Sequence, residues 1–232
     1  ALRSLAAAAT ATPRGGVVHI YGLDFAGGGL SALEPLPTVG SIIPGDDEER
    51  VARLLRALSG LVEERSTAYS ALRASTLTEY RVLANRPDEP RVLLLLDGFG
   101  TFRVDYEGSP LLAPLYGMFQ RLLVEGRGVG VHVAMTADRP SVIPTSVGSA
   151  FQRKVVLRMT DEDGYMAMGV PRDVLTPVSP PGRSMQVDRP NELQLAILGE
   201  DSNAAAQARE IERFAQAAAA RPGPRPEPIR SL

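Results

Sequence analysis

The segment Arg91-Val92-Leu93-Leu94-Leu95-Leu96-Asp97-Gly98 constrains the fold of this chain more than any other. Its aliphatic residues follow one another without the polar alternation of a half-exposed strand, which predicts a strand buried on both faces. Strands of this kind occur in helix-covered, mainly parallel sheets, where ligands bind outside the carboxyl ends of the strands. We therefore expect Asp97 to lie at a ligand-binding edge, with Gly98 opening the turn behind it.

A carboxylate at the end of such a strand is typical of nucleotide-hydrolysing α/β proteins, in which it binds Mg²⁺. The partner motif, a phosphate-binding loop, needs glycines followed by Lys and Ser or Thr. The only lysine, Lys154, has no glycine cluster before it. The chain is thus predicted to carry the Walker B strand of a nucleotide-binding core without its Walker A loop. The alternative for Asp97 is a cap on the strand end, because Asp before Gly is a good turn former.

Length and composition exclude several classes of protein. The 232 residues, 44% of them hydrophobic, are enough to bury the core of one α/β domain. A net charge of -2 provides no broad basic field for nonspecific nucleic-acid binding. The absence of cysteine excludes disulfides and thiolate metal sites. No apolar run approaches the roughly 20 residues of a membrane helix, so the sequence predicts a cytoplasmic domain.

Strand and helix patterns alternate along the chain. Residues 17–25 predict a buried strand that ends in an aspartate, and Asp46-Asp47 open a long helix with apolar residues at helical spacing. Residues 106–110 are predicted to form a solvated loop. Further strands are predicted at 92–96, 130–136, 155–159, 184–187 and 193–198, and further helices at 1–11, 110–125 and 202–221. We expect all the strands to join one mainly parallel, helix-covered sheet.

The sequence also predicts the domain bounds and the nature of the two end segments. Residues 1–220 are predicted to be one domain. Because proline cannot continue a helix, the Pro-rich residues 221–232 are predicted to be an extended linker to a following domain. The predicted helix at residues 1–11 begins without a cap or a preceding strand, so we expect further chain before it.

Four segments keep a characteristic order along the chain. They are Leu23-Asp24-Phe25-Ala26-Gly27-Gly28-Gly29-Leu30, Leu33-Glu34-Pro35-Leu36-Pro37-Thr38-Val39-Gly40, Leu94-Leu95-Leu96-Asp97-Gly98-Phe99-Gly100 and Gly130-Val131-His132-Val133-Ala134-Met135-Thr136-Ala137-Asp138-Arg139-Pro140-Ser141. In this order they resemble the second strand, its loop, the Walker B strand and the Ala-Thr-Gln-Arg-Pro-Ser strand and loop of the FtsK/SpoIIIE family of RecA-like motor ATPases. The resemblance covers about residues 1–200 and is strongest to the tandem ATPase domains of EccC and EssC proteins of type VII secretion.

This resemblance implies a RecA-like P-loop NTPase core whose N-terminal Walker A part is absent from the chain and lies just before Ala1. It implies ATP and Mg²⁺ as ligands of the intact protein, with Asp97 at the magnesium ion through the Walker B strand. The nucleotide-binding residues that it implies are Asp97, Thr136, Asp138, Arg139 and Asp24.

Some of these residues have a second interpretation. Asp24 precedes three glycines, so hydrogen bonds to its own turn are the alternative to a place at the nucleotide. Arg139 has the alternative of a structural ion pair with a nearby carboxylate. The Gly27-Gly28-Gly29 turn is not followed by lysine, and a flexible turn is a better prediction than a phosphate cradle.

Two departures from the family pattern argue against hydrolysis, and no catalytic residue is assigned. Active motors follow the Walker B aspartate with a glutamate that orients the attacking water, whereas this chain has Gly98. The usual sensor glutamine is replaced by Asp138, an acceptor in place of a donor. From the sequence, Gly98→Glu is expected to raise turnover. Glu107 is another carboxylate after Asp97, in the predicted loop.

Together these observations predict an ATP-binding module of a type VII secretion motor that hydrolyses ATP slowly or not at all. One alternative is a non-enzymatic module that binds the signal peptide of a secreted substrate. Another is the ATPase domain of a DNA translocase, which the charge balance disfavours. The resemblance implies neighbouring ATPase domains of the same chain as partners. It also implies the cytoplasmic domain of a membrane-anchored protein, with membrane contact only through other parts.

Overall fold

A four-stranded parallel sheet forms the centre of the protein. The computed structural model describes residues 1–11, 15–160, 162–171, 173, 175–189, 191–221 and 223–231. The strands lie in the order β2-β1-β3-β4 and are β1 (Val18–Asp24), β2 (Val39–Pro44), β3 (Arg91–Asp97) and β4 (Val131–Met135). The predicted α/β class with a mainly parallel sheet is confirmed.

Helices cover both faces of this sheet. The helices of the described chain are α1 (Leu2–Ala11), α2 (Glu48–Leu72), α3 (Leu77–Leu83), α4 (Phe99–Glu107), α5 (Ala113–Glu125), α6 (Thr145–Ala150), α7 (Glu162–Ala167) and α8 (Ala204–Ala219), of which α7 packs away from this sheet. Short 3₁₀ turns span Ser31–Leu33, Gly126–Val129 and Pro140–Val142. Within the described ranges, no helix is both long and apolar enough to cross a membrane.

The strand β3 is buried on both faces, as its aliphatic run predicts. Leu94 and Leu96 belong to the core that α2, α4 and α5 cover, and Leu95 belongs to the core that α1 and α8 cover. All three side chains are fully buried, and each such burial stabilises the fold by about 1.5–3 kcal/mol. The long helix α2 begins as predicted, because the Asp47 carboxylate accepts a hydrogen bond from the Arg50 N–H at 3.1 Å.

The strands predicted late in the chain do not join the central sheet, so that expectation is wrong. β5 (Val155–Leu157), β6 (Arg183–Gln186) and β7 (Glu192–Gln194) form a separate antiparallel sheet in the order β5-β6-β7. The short connection from β6 to β7 explains this, because parallel neighbours need a crossover of about a dozen residues or more. A second, smaller core packs beneath it, around Tyr165 and Met185.

The predicted loop at residues 106–110 is confirmed for 108–110 but wrong for Tyr106 and Glu107, and the next helix starts three residues later than predicted. α4 follows β3 directly and reaches Glu107, while α5 begins only at Ala113. Tyr106 is buried, because Phe99, Phe102 and Tyr106 share one helical face that packs on α5. β2 was predicted as part of a loop after residue 33, and it pairs instead with β1.

The Pro-rich tail lies against the domain. Its residues 223–231 are extended, with Pro226 buried and Ile229 packed on the central core. Side chains of β1 and α2 contact its carbonyl oxygens: His19 with Pro224 at 3.3 Å, Tyr21 with Glu227 at 3.0 Å, Arg50 with Ile229 at 2.8 Å and Arg53 with Arg230 at 3.0 Å. The Ile229 N–H donates to Ser41 Oγ at 2.8 Å. The tail therefore occupies a defined groove, which the sequence did not predict.

Candidate nucleotide-binding edge

The carboxyl ends of three strands bring most of the predicted site residues to one edge of the sheet. Asp24 ends β1 and Asp97 ends β3, and the two residues are paired in register. Leu96 pairs with Met135, so Thr136 follows at the same level after β4. Since parallel α/β sheets bind ligands at this edge, the arrangement agrees with the predicted location.

Thr136 fixes the Asp97 carboxylate. Its hydroxyl donates a short hydrogen bond to Asp97 Oδ1 and accepts one from the Gly98 N–H at 3.0 Å. The Thr136 N–H also donates to the Leu96 carbonyl at 2.9 Å, and the Phe99 N–H donates to the Thr136 carbonyl at 2.9 Å. These bonds hold one carboxylate oxygen toward β4. The other, Oδ2, faces the bare backbone of Gly29, where an added Cβ would lie 3.7 Å away.

The donor set fits a magnesium ion that arrives with a nucleotide. Mg²⁺ usually takes one or two protein carboxylates and completes its shell with water and phosphate oxygens. Asp97 Oδ2 is one such carboxylate oxygen, and the Thr136 hydroxyl is already committed to Oδ1. In the part of the chain that the structure describes, no group of three or more His, Cys, Asp or Glu residues could hold a metal alone. An ion here would therefore depend on oxygens from the ligand.

The Asp24 carboxylate is hydrogen-bonded to the backbone of its own turn. Its carboxylate accepts hydrogen bonds from the N–H groups of Ala26 at 3.1 Å, Gly28 at 3.0 Å and Leu30 at 2.7 Å. The residue is only 6% exposed. Both oxygens are used by backbone donors, so the geometry favours the turn interpretation over direct contact with a nucleotide. The turn in question contains the three glycines and borders Asp97.

Asp138 and Arg139 lie at the same edge but project into solvent. Their side chains are 70% and 69% exposed and form an ion pair at 3.6 Å, which matches the structural alternative for Arg139. Asp138 borders the start of α4, because a Cβ added to Gly100 would lie 3.3 Å from its Oδ1. An open cleft of about 500 Å³ beside them is lined by residues that include Gly100, Arg103, Arg139 and Val142.

Gly98 is held in a conformation that a glutamate would not adopt easily. Its φ of 81° lies in the left-handed region. A Cβ there would lie 2.9 Å from the carbonyl carbon of Phe25 and 3.1 Å from the Ala26 nitrogen. The structure therefore adds a stability cost to the Gly98→Glu substitution, because two turns pack on each other at this position, and its expected rise in turnover stays a prediction.

Glu107 does not replace the missing glutamate. It ends α4, at a helical rise of about 12 Å from the start of that helix. Its carboxylate is paired with Arg103 at 2.5 Å, and Arg103 also donates to the Val142 carbonyl at 3.0 Å. This pair stabilises α4 at a distance from the Asp97 edge.

The start of α1 packs close to the candidate edge. Its Leu2 belongs to the same buried core as Leu30, which follows the Gly-rich turn, and Leu95 of β3. A helix start carries a partial positive charge, which favours anions.

The fold and this edge define the class of the protein. A parallel sheet with a Walker B-type aspartate after β3 and a hydroxyl after β4 is an α/β fold of the P-loop ATPase type. More specifically, the chain belongs to the FtsK/SpoIIIE family, whose sequence pattern matches residues 1–176. The resemblance stated from the motifs is thereby confirmed.

Its relatives belong to type VII secretion systems. The ESX-1 secretion system protein EccCb1 of Mycobacterium tuberculosis is 28% identical over 192 residues, which cover 80% of this chain and 31% of that protein. The chain therefore spans about a third of the length of this relative. The solved structure of Thermomonospora curvata EccC (ATPases 2 and 3) in complex with a signal sequence peptide matches with a TM-score of 0.79 at 28% identity, over 100% of this chain and 42% of that chain. EssC (ATPases 2 and 3) from Geobacillus thermodenitrificans matches with a TM-score of 0.82 at 22% identity, over 100% and 43%, which shows the shared fold.

Proposed function

We propose that this chain is an ATP-binding module of a type VII secretion protein that hydrolyses ATP slowly or not at all. One observation carries the proposal: Thr136 holds Asp97 at the carboxyl edge, while the next residue is a left-handed glycine packed against a neighbouring turn. The first half of this arrangement supports binding of a metal-nucleotide complex. The second half supports weak turnover.

The roles in binding follow from the geometry. Asp97 would hold Mg²⁺ through Oδ2, and the ion would neutralise phosphate charge. Thr136 keeps the carboxylate in place through Oδ1. The first turn of α1, which shares a core with the Gly-rich turn and β3, would add a partial positive charge near the same edge. These groups lack the lysine and the glycine-rich backbone that usually surround the β and γ phosphates.

We infer that a Walker A strand and loop directly precede α1 in the intact protein. Two observations support this inference. Leu2 at the start of α1 shares a core with Leu30, at the end of the turn that borders Asp97, so a loop that enters α1 would pass near that carboxylate. β4 is an edge strand of the central sheet in the described ranges, and its residues after Val131 are half-buried. A further parallel strand beside β4 would cover them.

Turnover requires a group that orients and deprotonates water. Gly98 has no side chain, and Asp24 is engaged by three backbone donors. Asp138 is exposed and paired with Arg139. None of these residues is placed to deprotonate a water molecule beside Asp97. A low rate of hydrolysis is therefore expected even when ATP is bound.

The test measures ATP binding and hydrolysis by the full-length protein that contains this module, with other ATP sites inactivated. We expect Mg²⁺-dependent binding that Asp97→Ala abolishes and Asp105→Ala leaves unchanged, since Asp105 is an exposed carboxylate on α4. Residues 1–232 alone are expected not to bind ATP measurably. Micromolar binding by residues 1–232, rapid turnover, or full binding by the Asp97→Ala variant would each contradict the proposal.

A second candidate function, binding of a secreted substrate's peptide, is favoured by the tail groove. Donors from β1 and α2 receive the carbonyl oxygens of an extended segment, with Pro226 buried and Ile229 half-buried. This surface has the properties of a peptide-binding groove. The matching Thermomonospora curvata EccC structure contains a signal sequence peptide. Titration of such a peptide onto the protein with and without residues 223–232 would reveal whether the groove accepts it.

The surroundings of the module are part of the proposal. Its relatives contain more than one ATPase domain in a chain, and we infer that neighbouring ATPase domains contact this one. The module is proposed to be a cytoplasmic domain of a membrane-anchored protein, which would contact the membrane only through other parts. Duplex DNA is not a proposed partner, because the chain has a net charge of -2.

A further inference from the structure

Cationic side chains gather at the amino edge of the central sheet, opposite Asp97. Arg81 lies in the last turn of α3, Arg91 begins β3, and Arg127 lies in the 3₁₀ turn before β4. Two of them share one acceptor: Arg81 Nη1 and Arg91 Nη1 donate to the Gly15 carbonyl at 2.7 Å and 2.9 Å. The backbone thus holds these guanidinium groups close together.

Carboxylates compensate this charge only in part. Glu89 is shared by Arg65 at 2.6 Å and Arg86 at 3.6 Å. Burial and then Arg91 lower the pKa of Arg81, and burial, Arg91 and Arg127 lower the pKa of His132. The Glu89 charge acts on the pKa of Arg81 in the opposite direction. Within the described residues, Arg127 makes no ion pair.

Exposed apolar side chains lie in the same turn of α3 as Arg81. Val82 and Leu83 follow Arg81 on α3 and are 76% and 55% exposed. Exposed aliphatic residues next to fixed cations are typical of protein-binding surfaces. We call the set Arg81, Val82, Leu83, Arg86, Arg91 and Arg127 the amino-edge surface.

We propose that the amino-edge surface binds an acidic segment of a protein partner in which leucine-like side chains accompany the carboxylates. The exposed Arg86 and Arg127 would bind the partner's carboxylates through their guanidinium groups. Arg81 and Arg91 would add positive charge from their fixed positions, and Val82 and Leu83 would offer apolar contact. A protein partner fits better than a membrane, because Arg81 and Arg91 are tied to backbone carbonyls and do not extend freely toward lipid headgroups. The chain as a whole is slightly acidic, so attraction would be confined to this edge.

The amino-edge surface is well separated from the candidate nucleotide-binding edge. The amino-edge surface and Asp97 lie at opposite ends of β3, which runs from Arg91 to Asp97. Acidic partners would therefore bind without competing with a nucleotide. The proposal does not depend on ATP binding, and its test needs no nucleotide.

The experiment measures binding of fluorescein-labelled peptides to the intact chain by anisotropy at low and high salt. The probe is a peptide of glutamate and leucine residues, with matched peptides that carry serine in place of leucine or lysine in place of glutamate. We expect the Glu/Leu peptide to bind more tightly than either, and added salt to weaken binding. Arg86→Glu with Arg127→Glu should weaken it roughly tenfold, and Val82→Ser should weaken it at all salt concentrations.

The control is Arg209→Glu with Arg213→Glu, which makes the same charge change on exposed residues of α8. Circular dichroism and urea unfolding confirm that each variant folds. Equal weakening by the α8 pair would show that only net charge matters and would overturn the proposal. Failure of the Glu/Leu peptide to bind would overturn it as well. Binding to phosphatidylcholine vesicles that contain phosphatidylglycerol, with no peptide binding, would replace the proposed partner with a membrane.

Discussion

Gly98→Ala provides the sharpest test of how the candidate site is built. Gly98 has φ 81° and ψ 51°, and an alanine Cβ would lie 2.9 Å from the Phe25 carbonyl carbon, 3.0 Å from its oxygen and 3.1 Å from the Ala26 nitrogen. All three neighbours are backbone atoms, so no flexible side chain can move aside. The substitution must shift the turn after β1 or the turn after β3.

The magnitude has two parts. A non-glycine residue in the left-handed region costs about 1–2 kcal/mol. Overpacking that moves backbone costs about 1–3 kcal/mol. We therefore expect Gly98→Ala to lower the free energy of unfolding by roughly 2–5 kcal/mol, measured by urea denaturation and read from the change in midpoint at constant slope.

Alanine substitutions at two other glycines separate the backbone-conformation cost from the packing cost. Gly28 also has positive φ, 88°, but an added Cβ there meets nothing within 4 Å, so Gly28→Ala should cost only the conformational part, about 1–2 kcal/mol. Gly117 lies in α5 with open space around it, and Gly117→Ala should stabilise by about 0.5–1 kcal/mol. If Gly98→Ala costs no more than Gly28→Ala, the proposed contact with Phe25 does not constrain the site.

Other perturbations test separate contacts. Thr136→Val removes the hydrogen bond to Asp97 and should weaken Mg²⁺-dependent nucleotide binding by about tenfold or more, whereas the exposed Thr101→Val should not; calorimetry on the full-length protein measures both. Burial raises the pKa of Tyr106 to about 12 from 10, so stability should be full below pH 10 and fall as the pH rises through 12. Tyr106→Phe should remove that loss and stabilise by about 1 kcal/mol, because no partner of its buried hydroxyl lies in the described residues. Deletion of residues 223–232 should lower the urea midpoint, and Arg225→Ala, whose side chain donates only to Ala219, should lower it less.

The spacing of hydrophobic residues predicted those elements whose burial is visible in their own sequence. The aliphatic run of β3 and the helical spacing in α2 each report burial directly, and both elements formed where expected. The three short strands β5, β6 and β7 carry too few residues to show whether they pair in parallel or in antiparallel fashion. The connection length after β6 was the signal that was missed. For α4, the spacing of Phe99, Phe102 and Tyr106 contained the helical period, but the glycines around it suggested a loop.

The candidate site was predictable where motif order fixes position along a strand. Asp97 and Thr136 were expected at one edge and lie there, with a direct hydrogen bond. The conformation of Gly98 was not predictable, because it depends on Phe25 from a different strand. The groove for the tail was not predictable for the same reason, since its donors come from β1 and α2.

These contacts show what a carboxylate at position 98 would cost the fold. Asp24 ties its turn together through the N–H groups of Ala26, Gly28 and Leu30, and that turn presses the Phe25 carbonyl against Gly98. A larger residue at position 98 would require both turns to move together. A single substitution at position 98 would therefore lower stability before any effect on turnover could matter. Under the proposed function, one mutation at position 98 would therefore not be enough to give this module rapid hydrolysis.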